Sequence, residues 1–258
     1  MNMALSFFLR LLLGHMIGDF VLQPYWLVLA KRKGWSGLLI HVGIVTCVTA
    51  ILAWNAIPNG WVWIIVLFIG HLFIDQFRTF VFTDNSKGRG LLLLILDQIA
   101  HVVLISLIAW SASGWTFSDL YLLLTPEALN QYRVMAYLIG LATVIGVAPV
   151  LEAEVAVAVL ATQGTEIKQT VAIDSIDRIL GGLERTVATL LILLSYGLFA
   201  PLVFLPRLVL MIYQGQARDD RTTMITKVVT SFVTAIVVSL ILHYIPLPTI
   251  TSEYLALY

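Results

Sequence analysis

RGLLLLILDQIAHVVLISLIAW, residues 89–110, is an apolar run long enough to cross a bilayer, yet Asp97 and His101 stand in its middle. About 20 consecutive apolar residues, rising about 1.5 Å each, carry a helix through the hydrocarbon layer. An aspartate at the centre of such a helix costs about 2.5–3.5 kcal/mol to insert, so it faces protein and is a candidate for function. The run therefore predicts both a membrane helix and a buried polar site.

Working outward, comparable runs occur at about 6–29, 35–55, 60–81, 131–150 and 224–245. Of the 258 residues, 60% are hydrophobic and 12% charged, about half the roughly 25% charge of soluble domains. Mean hydropathy is +0.95. Too little polar surface is available to coat a soluble fold, so lipid must cover most of the exterior. The expected fold is all-α, a polytopic transmembrane helical bundle of about 7–8 membrane segments. A neutral net charge offers no basic face for nucleic acid. Cys47 is the sole cysteine, excludes an intrachain disulfide, and reads as a small buried apolar side chain. Arg10 and His15 interrupt the first apolar run and no small-residue cleavage site follows, so it does not read as a removable signal peptide.

The polar residues of the first four runs follow a pattern. Span one carries His15, Asp19 and Gln23 at i, i+4 and i+8, hence on one helical face. Span two carries His41 and span three carries His71 and Asp75, again at i, i+4. Span four reverses the order to Asp97 then His101, as it must if it runs antiparallel to spans one and three. Counted along the helices, Asp19, Asp75, Asp97 and His41 fall about 10–16 Å from one membrane face, and His15, His71 and His101 about 16–22 Å. Carboxylates form one layer and imidazoles the next.

Neutral imidazoles and carboxylates converging at one depth are what zinc, manganese or iron requires. The expected ligands are a subset of His15, Asp19, His41, His71, Asp75, Asp97 and His101, enough for two metals or for one metal with surrounding acids. Asp19, Asp75 and Asp97 are the candidates for general base. Gln23, Gln76 and Gln98 can orient ligands or water, and Arg78, one turn from Asp75, can pair with it or reach the headgroups. The same residue types also suit a metal-free proton relay, or His–Asp pairs that satisfy one another as interhelical glue.

Loop charge sets the orientation. Lys31, Arg32 and Lys33, and then Arg78, Lys87 and Arg89, flank alternate loops, whereas the loops near 55–59 and 111–131 carry no Lys or Arg. The loops at 30–34 and 82–88 are thus expected in the cytoplasm and the N-terminus outside, with Arg10 the one dissent. All 7 tryptophans fall at expected interfaces.

The chain divides into a four-helix unit at 1–111, carrying the cluster, and a C-terminal unit at 112–258. In the second, 165–183 alternates apolar and charged residues as an amphipathic interfacial helix does. The adjoining run to Tyr213 contains Gly197, Pro201 and Pro206 and is expected to fold as a short-helix hairpin. Glu184 and Arg185 at its start either add polar groups to the same layer or form a local ion pair. His243 has no acidic partner nearby and is expected at an interface.

The run from Gly14 to Pro24, GHMIGDFVLQP, resembles the opening motif of the bacterial family called domain of unknown function 3307. His41, the run HLFID at 71–75 and the run LDQIAH at 96–101 resemble its further motifs in order, and GLER at 182–185 resembles one in the second half of longer members. The resemblance covers about the first 110 residues and implies a bacterial inner-membrane protein with no established activity. The chain is also similar, in motif type, to membrane-bound metal-dependent hydrolases.

These readings together lead to an integral membrane protein with an intramembrane His/Asp site. Its expected activity is metal-dependent hydrolysis of a lipid-linked or otherwise membrane-accessible substrate. The alternatives are a proton or divalent-metal-ion transporter or channel, and a non-catalytic membrane scaffold or sensor.

Overall fold

The computed structural model describes residues 3–82, 89–114, 132–163, 175–213 and 218–245. Nine α-helices and one 3-10 helix, Gly197–Phe204, are described, and no strand occurs among these residues. Six are long and apolar enough to cross a membrane: α1 (Met3–Val21), α3 (Trp35–Ala53), α4 (Gly60–Val81), α5 (Arg89–Ser113), α6 (Arg133–Thr162) and the Arg221–His243 part of α9 (Arg218–His243). The others are the short α2 (Tyr25–Lys33), α7 (Ser175–Leu193) and α8 (Leu205–Tyr213).

Span one ends sooner than the sequence suggests. Pro24 has no N–H to donate, and its ring disfavours a helical Gln23. The chain therefore leaves α1 at Val21 through a π turn, Leu22 N–H bonding the Ile17 carbonyl at 2.8 Å, and restarts as α2. Residues 25–29 belong to α2, as does most of the expected loop at 30–34. The expected loop at 82–88 lies outside the described residues but for Phe82. A second π turn, Phe77–Val81, closes α4, and a third, Thr143–Val147, interrupts α6 and packs on the first.

α1, α3, α4 and α5 pack in a ring, each against the next and α5 back against α1. The α1–α3 seam is very close because Gly14 and Gly18 lie one turn apart on it. A Cβ on either would stand 2.6 Å from a Cα of α3, that of Thr49 or Val45 respectively. Small residues at this spacing let two backbones approach without a hydrophobic driving force. One half of the ring is filled by Phe7, Leu11, Ile64, Leu67, Ile105 and Ile108, all buried. Its other half holds the polar residues.

Large apolar side chains such as Ile40, Ile65, Ile69, Phe73, Ile99 and Val103 are exposed on the outer faces, where acyl chains would lie. Cys47 is exposed as well, so it faces outward from α3 instead of filling the core. Arg10 donates to the Leu52 carbonyl at 3.0 Å, which satisfies the end of α3 and explains a charge near the end of span one.

α6 leans on α1 and α5 and joins the ring to α7 and α9. The expected hairpin is present: the chain turns at Ser195, in the left-handed region at φ 68°, and doubles back so that Glu184 and Arg207 pair at 2.7 Å. Of the expected amphipathic helix, 165–174 lies outside the described residues. From Ser175 the chain is already α7, which continues without a break into the hairpin's first arm.

Candidate metal centre

The residues His15, Asp19, His41, His71, Asp75 and His101 come from four helices, and each is at most 5% exposed. The i, i+4 spacing puts each His–Asp pair on the inward face, and the glycine seam draws α3 close enough for His41 to reach across. His41 Nε2 lies 2.9 Å from Asp19 Oδ1 and 3.1 Å from Asp75 Oδ2. Gln23 Nε2 meets the other ring nitrogen of His41 at 3.2 Å, which fixes the ring's direction. His71 Nε2 is 3.6 Å from Asp75 Oδ2, and His101 Nε2 is 3.7 Å from Asp75 Oδ1.

The remaining imidazoles stack on these. His71 and His101 have ring centroids 4.4 Å apart, and His15 and His101 are stacked at 4.8 Å. His15 Nε2 is more distant from its carboxylate, at 3.9 Å from Asp19 Oδ2. Asp97 stands at the edge. Its side chain is 12% exposed, its Oδ2 accepts from Gln98 at 3.0 Å, and its backbone carbonyl holds His101 Nδ1 at 2.9 Å. Gln98 also reaches Asp19 at 3.5 Å, so Gln23 and Gln98 both orient the cluster; Gln76 is half-buried beside Asp75.

Several buried ring nitrogens here make no hydrogen bond, both of His15, both of His71 and Nε2 of His101, whereas Nε2 of His41 lies against the Asp19 and Asp75 carboxylates. Folded proteins leave few such atoms, so a group of them on facing rings asks for a shared partner. Two sets have one ligand atom per residue within 4.8 Å of one another: Asp19, His41 and His71, and His71, Asp75 and His101. A tetrahedral site with bonds of about 2.0–2.1 Å places its ligand atoms about 3.3 Å apart, and the imidazole-to-carboxylate separations inside these sets are 2.9, 3.6 and 3.7 Å. These residues could hold a metal ion.

All of these residues lie within 7–129, which matches the family described as a protein of unknown function, DUF3307. Residues 7–129, within the N-terminal half of the chain, match a DUF3307 domain. No curated protein and no solved structure matches the chain.

The DUF3307 domain holds one more charged contact, which loop counting concealed. Lys31 of α2 extends its ammonium to Asp75 Oδ2 at 3.3 Å. Burial lowers the pKa of this amine, but the carboxylates of Asp75, Asp19 and Asp97 raise it by more, and it is held protonated above its ordinary range. Its i, i+4 relation to the fully buried Leu27 was the signal available. Arg78 donates to the Phe82 carbonyl at 3.0 Å.

Beyond the DUF3307 domain, Arg178 of α7 donates to the carbonyls of Phe20 and, at 2.8 Å, of Gln23. It caps α1 where the π turn leaves carbonyls free. Glu184 and Arg185 do not join the layer. Arg185, fully buried, pairs with Glu152 of α6 and bonds Ser231 of α9 at 3.1 Å, while Glu184 pairs with Arg207. His243 is exposed.

Proposed function

We propose that this protein is a membrane-embedded metal-dependent hydrolase acting on a lipid-linked or otherwise membrane-accessible substrate. The observation that carries the reading is the gathering of buried imidazoles around the Asp19 and Asp75 carboxylates, with the His15 and His71 nitrogens and His101 Nε2 left without a hydrogen bond. His41, His71 and His101 with Asp19 and Asp75 would hold zinc, manganese or iron, and His15 stacks behind them. When bound, such a metal acts as a Lewis acid and lowers the pKa of its water to about 7.

The chain's own residues divide the remaining work. Asp97 belongs to neither ligand set and is partly exposed, so in this reading it takes the proton from the attacking water. Gln98 holds the Asp97 carboxylate in place, and Gln23 holds His41. The apolar half of the ring excludes water from the opposite side. Loop charge supports an orientation with the N-terminus outside and α2 in the cytoplasm, in the bacterial inner membrane that the family resemblance implies, so substrate arrives from the cytoplasmic leaflet. Residues 1–111 form the working unit and 112–258 a supporting one.

Elemental analysis of protein purified in mild detergent tests the metal. Stoichiometric transition metal is expected, and its loss on His71→Ala. Incubation of the metal-loaded protein with extracted membrane lipids, followed by mass spectrometry of released polar products, tests the hydrolysis. Products that form equally with Asp97→Asn would sink the catalytic assignment.

A second reading rests on the ring contacts. His15, His101, His71 and His41 follow one another with neighbouring centroids 4.4–5.7 Å apart, a spacing suited to passing protons or a cation. Metal-ion or proton flux in proteoliposomes, without hydrolysis, favours that transporter or channel. Unchanged cellular function with Asp19, Asp75 and Asp97 all replaced by asparagine leaves a scaffold or sensor.

A further inference from the structure

α2 begins at Tyr25, just after Pro24, outside the first span and turns back along α3. It is fixed there by two features. Leu27 is fully buried, and a Cβ on Gly37 of α3 would stand 2.2 Å from the Ala30 carbonyl carbon and oxygen and 2.6 Å from the Lys31 nitrogen. The backbone of Lys31 is therefore held against α3, and its side chain is aimed at the cluster. Its neighbours Arg32 and Lys33 are exposed.

The contact Lys31 makes is with an oxygen already in demand. Asp75 Oδ2 faces Lys31 Nζ at 3.3 Å, His41 Nε2 at 3.1 Å and His71 Nε2 at 3.6 Å. Asp75 also belongs to one of the two sets that could hold a metal. An ammonium and a dication on one carboxylate repel each other strongly where little water screens them. Asp75 is 2% exposed at its side chain, so screening there is weak.

Resting on the metal-centre reading, we propose that Lys31 is a tethered cation that competes with the metal. Its ammonium neutralises Asp75 in the metal-free protein and is displaced when a divalent cation binds. The lysine side chain suits this role. It is a flexible four-carbon stem carrying a point charge, and at 17% exposure it is less enclosed than the Asp75 carboxylate it meets. Without it, the metal-free bundle would bury Asp19 and Asp75 with one imidazole between them, a costly excess of negative charge. Lys31 thus keeps the bundle folded before loading and sets how tightly metal is held afterwards.

Amine labelling of the intact wild-type protein, with and without zinc, tests displacement directly, with Lys33 as an internal reference. Saturating zinc is expected to raise Lys31 labelling several-fold and leave Lys33 unchanged. Competition with a chromophoric chelator tests affinity: Lys31→Met is expected to bind zinc roughly tenfold more tightly, and Lys31→Arg no more tightly than wild type. Unchanged Lys31 labelling under saturating zinc overturns the proposal while leaving the metal centre standing, and so does a Lys31→Met affinity no higher than wild type. Zinc bound by neither protein overturns the centre and this role together. If Lys31→Met does not fold, the wild-type labelling decides alone.

Discussion

Gly18 of α1 sits so close to Val45 of α3 that a Cβ added to the glycine would stand 2.6 Å from the valine Cα. His41 is one turn from Val45 on α3, and Asp19 follows Gly18 on α1, so this seam sets the 2.9 Å approach between them. Gly18→Val is expected to push the helices apart and destabilise the protein by about 1–3 kcal/mol or more. Thermal unfolding in detergent measures that loss, and metal content should fall with it. A variant that is as stable and as metal-loaded as wild type would mean the seam does not position the cluster.

Asp75 and Asp97 should separate binding from turnover. Asp75→Asn removes an acceptor facing three imidazoles and is expected to abolish stoichiometric metal in elemental analysis. Asp97→Asn, outside both ligand sets, is expected to keep the metal and to lower hydrolysis by about 10²–10⁴-fold. Loss of metal in both variants would place Asp97 among the ligands.

Arg178 tests the link between the two halves of the chain. Arg178→Gln withdraws a charged donor from the Phe20 and Gln23 carbonyls, an interaction of about 1.5–3 kcal/mol. The expected result is a lowered melting temperature, with hydrogen exchange rising at residues 20–27 and not in α9. Uniform exchange throughout the molecule would argue against a local cap.

The Glu152–Arg185 pair should matter to folding and not to metal. Arg185→Met leaves Glu152 as a buried unpaired charge and is expected to cost about 3–5 kcal/mol. Replacing both with methionine should recover most of that loss, with metal stoichiometry unchanged in whatever protein folds. Double-mutant thermal melts check the recovery.

Legibility in the chain followed periodicity. The inward faces of α1, α4 and α5 were legible because His and Asp recur at i, i+4, and antiparallel order fixes their relative depth. Pro24 marked the end of α1, but the apolar residues beyond it concealed the break. The π turn at 17–21 has no composition of its own, so the exact aim of Asp19 could not be read. Lys31 looked like one of three loop cations, because its role comes from the fold-back of α2 on Gly37. Arg178 and Arg185 find their partners far along the chain, on Phe20 and Glu152, where local spacing carries no information. The likeness of 182–185 to a known motif marked the place without revealing the partner.

Phe7, Leu11, Leu67, Ile105 and Ile108 stopper the ring on the side away from Lys31. Among the described residues this apolar plug stands on one side of the imidazoles and Lys31 of α2 on the other. A carrier built on this plan would have to part that stopper on every cycle, whereas a reaction vessel can leave it shut.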